Sequence, residues 1–327
     1  MRYLRPLMST DPARPAGAVC CGASWFAHVE VLSHAAPARV IPAAELSADD
    51  RARLARPVEP PQIMGILNTT PDSFSDGAAH NELEDAVAYG HALVSQGAHI
   101  LDIGGESTRP GAQPVPEAEE IARTAPVIRA LRAAGVTVPI SIDTRKAAVA
   151  KAALDAGASY VNDVSGFTFD PDLAPLCAAR GVPVCVMHAQ GDPQTMQVNP
   201  KYGNVLLDVY DHLAARIDAL VAAGIDRTRI TADPGIGFGK TQAHNLALLS
   251  RISLFRNLGV PILLGASRKR FIGTIGNAPD ATARAPGSVA VALAAIAQGV
   301  QVIRAHDVAD HAQAIALWRA AVAHPET

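Results

Sequence analysis

The chain has 327 residues, 49% of them apolar, only 4% aromatic, 18% charged, and a net charge of −3. That length and apolar content allow one large globular core or two ordinary ones. The slight negative charge argues against nucleic acid or a membrane surface as the main partner, and no apolar run reaches the roughly 20 residues that span a bilayer.

Residues 1–17 are rich in Pro, Arg and Ala and are expected to be loose. Pro6, Asp11 and Pro15 interrupt any signal-peptide pattern there, which points to the cytoplasm. The cysteines Cys20, Cys21, Cys177 and Cys185 have no metal or redox spacing and are expected as buried free thiols. Residues 18–33 suggest one or two short strands around Gly22, and 49–56 a charged helical connector. Residues 1–60 hold too little apolar material, cut by too many prolines, for an independent domain. They are expected as an N-terminal extension covering one end of the main fold, residues 61–327.

From residue 62 a rhythm sets in: an apolar run, a polar cluster, then an Ala/Leu-rich amphipathic segment. Strands are predicted over 62–67, 99–103, 138–142, 159–162, 182–187, 229–232, 260–264 and 301–303. Helices are predicted over 82–96, 117–133, 146–156, 172–179, 204–223, 243–257, 284–297 and 308–322. A glycine (97, 135, 157, 181, 224, 259, 299) closes most helices before the next strand, where a left-handed residue is wanted. Eight such units predict an α/β fold of the TIM (β/α)8 type. A doubly wound sheet is the structural alternative, but no Gly-x-Gly-x-x-Gly opens the first helix.

Polar residues gather after each strand and are scarce inside them. Asn68 ends the first run and Asp102 the second. Asp143, Asn162, Met187-His188, Asp233, Gly265-Ala266-Ser267 and Arg304-Ala305-His306 follow. Barrel enzymes place their chemistry at that end of the strands. Taken singly, Asp143 reads equally as a helix N-cap, Arg304 as a surface ion pair and Phe238 as plain packing. The run Gly235 to Thr241 ends like a phosphate loop, but Pro234 stands where its first glycine should be.

Seven blocks resemble dihydropteroate synthase, a family of pterin-binding TIM barrels, across roughly residues 62–310. They are Gly65–Gly77, Asp102–Ala112, Ser141–Thr144, Asn162–Gly166, Asp233–Lys240, Ser267–Lys269 and Arg304–Asp307. The resemblance implies a Mg2+-dependent transferase of folate biosynthesis. It joins 6-hydroxymethyl-7,8-dihydropterin diphosphate to p-aminobenzoate on an SN1-like path, giving 7,8-dihydropteroate and diphosphate. It implies that Asp143, Asn162, Asp233 and Lys269 grip the pterin, with Met187 and Gly265 as walls. Asn68 would contact Mg2+ and phosphate; Thr108, Arg304 and His306 would hold diphosphate. Phe74, Thr108, Arg109, Pro110, Phe238 and Ser267 would receive the aryl amine, and Asp102 would face the developing cation. Asp102, Lys269, Arg304 and His306 form the expected catalytic set. A homodimer and competition by sulfonamides are also implied. Thr69 departs from the more usual Val, and Arg270 stands where Ser or Arg is found. The alternatives are a methyltetrahydrofolate-dependent methyltransferase, in which the diphosphate set would be surplus, and a non-catalytic pterin-binding paralogue.

Overall fold

The computed structural model describes residues 2–56, 60–69, 79–107, 111–191 and 195–322. The extension contributes strands β1 (Tyr3–Pro6), β2 (Val19–Cys21), β3 (Ser24–Phe26), β4 (His28–Leu32) and β5 (Arg39–Pro42), and helix α1 (Ala48–Leu54). Its antiparallel sheet runs β1-β4-β5, with β2 and β3 as a separate hairpin. The first residues are therefore not loose as expected. Tyr3 and Leu4 are buried, and β1 pairs with β4 from Tyr3↔Leu32 to Pro6↔Val29.

The barrel strands are β6 (Gln62–Asn68), β7 (Ile100–Gly104), β8 (Ile140–Asp143), β9 (Tyr160–Asp163), β10 (Val184–Met187), β11 (Ile230–Asp233), β12 (Leu263–Leu264) and β13 (Val302–Ala305). They form one eight-stranded sheet, ordered β11-β10-β9-β8-β7-β6-β13-β12, and every pairing in it is parallel. The ends meet through one bridge, Ala232↔Ile262, where Ala232 N–H donates to Pro261 O at 2.9 Å. The helices are α2 (Ala79–Ser95), α3 (Glu117–Ala133), α4 (Ala147–Ala156), α5 (Leu173–Arg180), α6 (Val205–Ala222), α7 (Gln242–Ser250), α8 (Arg270–Ile275), α9 (Ala285–Ala297) and α10 (Val308–Val322). Two differ from expectation. The predicted helix 243–257 ends at Ser250 because Arg251 leaves helical geometry (φ −132°), and Ile252–Leu258 continues as a 3-10 turn. Helix α8 is six residues long and gives too short a period to be read.

Alternation along the strands explains why the site faces inward. Met64, Ile100, Tyr160, Cys185, Leu263 and Val302 form one apolar cluster, a layer filling the lumen. Side chains on one strand face recur every second residue. Two residues on from that layer stand Ile66, Asp102, Asn162, Met187, Gly265 and Arg304, and two past Ile66 stands Asn68. The intervening residues, such as Ile63, Leu101, Ile103, Ile142, Val161 and Val186, join the larger cluster beneath the helices.

The extension docks at the opposite end. Its own apolar cluster includes Leu4, Cys21, Phe26, Val29, Ile41 and Leu54. Its polar contacts fall mainly on segments that lead into strands. Ser253 Oγ donates to Pro6 O at 2.9 Å, Asn257 Nδ2 to Arg2 O at 2.9 Å, and Arg256 Nη2 to Leu54 O at 2.7 Å. Cys21, Cys177 and Cys185 are buried thiols as expected, whereas Cys20 is exposed on the outer face of β2.

Candidate active site

Parallel register sets the rim residues side by side. Asn68 lies opposite Gly104, Gly104 opposite Asp143, Asp143 opposite Asn162, and Met187 opposite Asp233. Gly104 keeps this arc open. A Cβ there would meet Asn68 Oδ1 at 3.7 Å and Asp143 Cβ at 3.7 Å. Gly265 does the same across the lumen, where a Cβ would lie 3.5 Å from Asp233 Oδ2 and 4.0 Å from Arg304 Cδ.

Arg304 is the centre of the charge pattern. Its Nε donates to Asp102 Oδ2 at 2.6 Å and its Nη2 to Asp143 Oδ2 at 2.8 Å. Asn162 Nδ2 also donates to Asp102 Oδ2, at 3.2 Å. Asp102 has no exposed surface, so it meets these two side chains from below and orients both. Asp102 Oδ1 and Asp143 Oδ1 are buried without a hydrogen-bond partner among the described residues. Burial pushes the Asp143 carboxyl up to about 7 against the pull of Arg304, with Asp102 raising it further. Burial likewise pushes Asp233 up to about 6, opposed by Gly235 N–H and by the Lys269, Lys240 and Arg304 charges. Arg304 is held firmly protonated by the two carboxylates despite its burial. The rim thus offers acceptors suited to planar donors, with the Arg304 cation beside them.

The loop after β11 brings an aromatic to the same mouth. Lys269 Nζ lies 4.1 Å from the centre of the Phe238 ring, a cation–π contact. Gly235 N–H donates to Asp233 Oδ1 at 2.7 Å, which fixes that carboxylate. After β12 and β13, Ser267 Oγ and His306 Nδ1 are 3.0 Å apart, and His306 N–H donates to Ser267 Oγ at 3.2 Å. Asn68, Asp102, Asp143, Asn162, Met187, Asp233, Phe238, Gly265, Ser267, Lys269, Arg304 and His306 therefore stand at one end of the barrel. Phe74, Thr108, Arg109 and Pro110 lie outside the described residues.

Among the described residues, no group of three or more His, Cys, Asp or Glu is placed to hold a metal ion. Asn68 Oδ1 and Asp143 Oδ2 both lie within 4 Å of the point a Cβ on Gly104 would occupy, so two side-chain oxygens border one opening.

Sequence reasoning missed several groups. Lys240 closes the block Asp233–Lys240 with no role assigned from sequence, yet it is buried, its Nζ 2.8 Å from His188 Nδ1. Glu106, Glu120, Arg145 and Lys146 form a buried cluster under the loop after β7. Lys146 Nζ donates to Glu120 Oε2 and to Val115 O, each at 2.6 Å, while Val115 N–H donates to Glu106 Oε1 at 2.9 Å. Arg145 also stacks 4.2 Å over Phe169 and, with Val164, Ser165, Met196 and Phe238, lines a mouth cavity of about 400 Å3. The lysine after Asp143-Thr144-Arg145 was the available signal.

A parallel barrel with carboxylates, an amide and a lysine gathered at the carboxyl ends of its strands has the layout of a barrel enzyme. A family profile described as "Pterin binding enzyme" matches residues 64–306. Dihydropteroate synthase of Synechocystis is 47% identical over 261 residues, covering 79% of this chain and 90% of that one. The structure of Xanthomonas albilineans dihydropteroate synthase with 4-aminobenzoic acid is 45% identical, with a TM-score of 0.78 over 82% of this chain and 95% of that one. A Yersinia pestis dihydropteroate synthase structure with a sulfonamide drug is 45% identical, with a TM-score of 0.75 over 80% and 94%. The chain belongs to the dihydropteroate synthase family, and it is a transferase of folate biosynthesis acting on small molecules. No helix among the described residues is long and apolar enough to cross a membrane.

Proposed function

We propose that the chain joins 6-hydroxymethyl-7,8-dihydropterin diphosphate to p-aminobenzoate. The C–O bond to diphosphate breaks, the aniline nitrogen forms the new C–N bond, and its proton leaves to solvent. The observation that carries this reading is the meeting of Asp143, Asn162 and Asp233 with Arg304 at one rim. The carboxylates and the Asn162 amide suit the pterin's N–H and amino edge, and Lys269 suits its carbonyl. Met187 and Gly265 wall the ring. Arg304 and His306, with Asn68 and Thr108, stand for the diphosphate side, where charge builds as the C–O bond lengthens. Asp102 holds Arg304 and Asn162 in place from beneath, and its negative charge favours a cationic methylene. Phe238 and Ser267, with Phe74, Thr108, Arg109 and Pro110, are assigned to the aryl amine, which is nucleophilic enough to need no strong base. Mg2+ held by Asn68 and the substrate would neutralise part of the leaving group's charge. A cytoplasmic homodimer completes this reading and follows from the family resemblance.

The test is turnover with both substrates in Mg2+ and again after chelation. Diphosphate release dependent on p-aminobenzoate and lost on chelation is expected. Tight pterin binding without release would favour a non-catalytic paralogue. Methyl transfer from methyltetrahydrofolate would favour the methyltransferase alternative, for which Arg304 and His306 have no use.

A further inference from the structure

We propose that Lys240 is a positioning residue for the pterin and aryl half of the site, locking the loop that carries Asp233 and Phe238. The inference rests on the pterin reading of Asp233. Lys240 touches no rim opening itself; it is 3% exposed. Burial pushes the Lys240 amine down to about 7, with the Asp233 charge opposing; charged or neutral it keeps N–H donors for the acceptors around it, His188 Nδ1 at 2.8 Å, Gly235 O at 2.9 Å and Phe238 O at 3.0 Å. His188 O lies a little further, at 3.3 Å. Two of these acceptors belong to the loop after β11 and two to His188, the residue that follows β10, so one side chain ties the loops together.

The loop backbone is built for that approach. Gly235 has φ +68°, and a Cβ on it would sit 1.9 Å from His188 O. Gly239 has φ +62°, and a Cβ there would lie 2.5 Å from Gln190 O. Neither glycine can be replaced without prising the two loops apart. Burial, with the Lys240 charge nearby, pushes His188 down to about 2, so the ring is neutral and Nδ1 can accept. From the locked loop, Gly235 N–H aims Asp233, and the Phe238 ring lies under Lys269 Nζ. The diphosphate-side groups Asn68, Arg304 and His306 belong to other strands and make none of these contacts.

This separation gives the test. Lys240→Met keeps the length and loses the donors. The expected result is a KM at least about tenfold higher for both pterin diphosphate and p-aminobenzoate, with inhibition by inorganic diphosphate unchanged within about twofold. Asp233→Asn is measured beside it by calorimetry with pterin diphosphate. Weaker binding in Asp233→Asn alone, with Lys240→Met normal, overturns the lock and leaves the pterin reading standing. Full affinity in both overturns the pterin reading and this inference with it. Equal weakening of pterin and diphosphate in Lys240→Met marks a general loss of structure and also overturns it. Should Lys240→Met fail to fold, the pair His188→Leu and His188→Asn decides. An asparagine amide oxygen can replace the Nδ1 acceptor, so Asn is expected to restore the KM values that Leu raises; equal values in the two overturn the lock.

Discussion

The two ends of the barrel bury polar groups differently: the mouth leaves several without partners, whereas at the end covered by the extension Gln298 Oε1 is the one such atom among the described residues. At the end covered by the extension, Arg256 is 3% exposed and donates to Leu54 O, Arg56 O and Gly299 O. Its neighbours Ser253 and Asn257 are likewise matched to backbone or hydroxyl partners. At the mouth, Asp102 Oδ1, Asp143 Oδ1, Glu120 Oε1 and Arg145 Nε are buried without partners among the described residues, and Asp143 and Asp233 are pushed well above the usual carboxylate range. Satisfied burial holds a structure; unsatisfied burial of charge is tolerated where a ligand completes the set. The comparison separates a floor made for stability from a rim made for binding.

The largest effect that can break this contrast is expected at Arg304. Arg304→Met leaves Asp102 and Asp143 without their shared cation, and kcat is expected to fall about 100- to 1000-fold in a steady-state assay with Mg2+. Arg256→Met is the matching change at the floor. It strips three carbonyls of a charged donor and should cost about 3 kcal/mol in denaturant unfolding while kcat stays within about twofold. A large loss of kcat there, with little loss of stability, would erase the distinction. Asp143→Asn should weaken pterin diphosphate binding about 10- to 100-fold by calorimetry, the worth of one charge-assisted hydrogen bond. The smallest effect concerns pH. Asp233 titrates near 6 when folded against 3.8 as a free carboxyl. A protonated Asp233 loses its charge and one of its two acceptor positions toward the pterin edge, so KM for pterin diphosphate should rise as pH falls through about 6, and Asp233→Asn should flatten that rise. Stability runs the other way: the raised carboxyl contributes most below 3.8 and that contribution is lost as pH climbs through about 6.

Much of this was readable from the chain alone. The barrel followed from local rhythm and from glycines such as Gly157, which caps α4 at φ 115°. The inward set followed from where apolar runs stop, because period-two alternation carries a lumen residue such as Val302 directly to Arg304. The rest depended on partners distant in sequence. Strand β1 pairs with residues some 25 positions on, and nothing in Tyr3–Pro6 itself announces that. Lys240 looks like any surface lysine until His188, 52 positions earlier, is seen against it. The partition of Asp102 beneath Arg304 rather than beside open space is likewise a property of depth, which spacing does not encode.

The single bridge that closes the barrel has a mechanical meaning. Strand β12 is two residues long, and Pro261, at the joint, has no N–H to offer. The thinnest seam of the cylinder therefore runs between the strand ending in Asp233 and the strand leading to Gly265 and Lys269. A fluctuation that unzipped it would spread Asp233 from Gly265 and Lys269, the two sides of the proposed pterin grip, and amide exchange at Ala232 would be the place to watch it. The extension clasps the 3-10 turn Ile252–Leu258 just ahead of that seam, like a splint laid along a hairline crack.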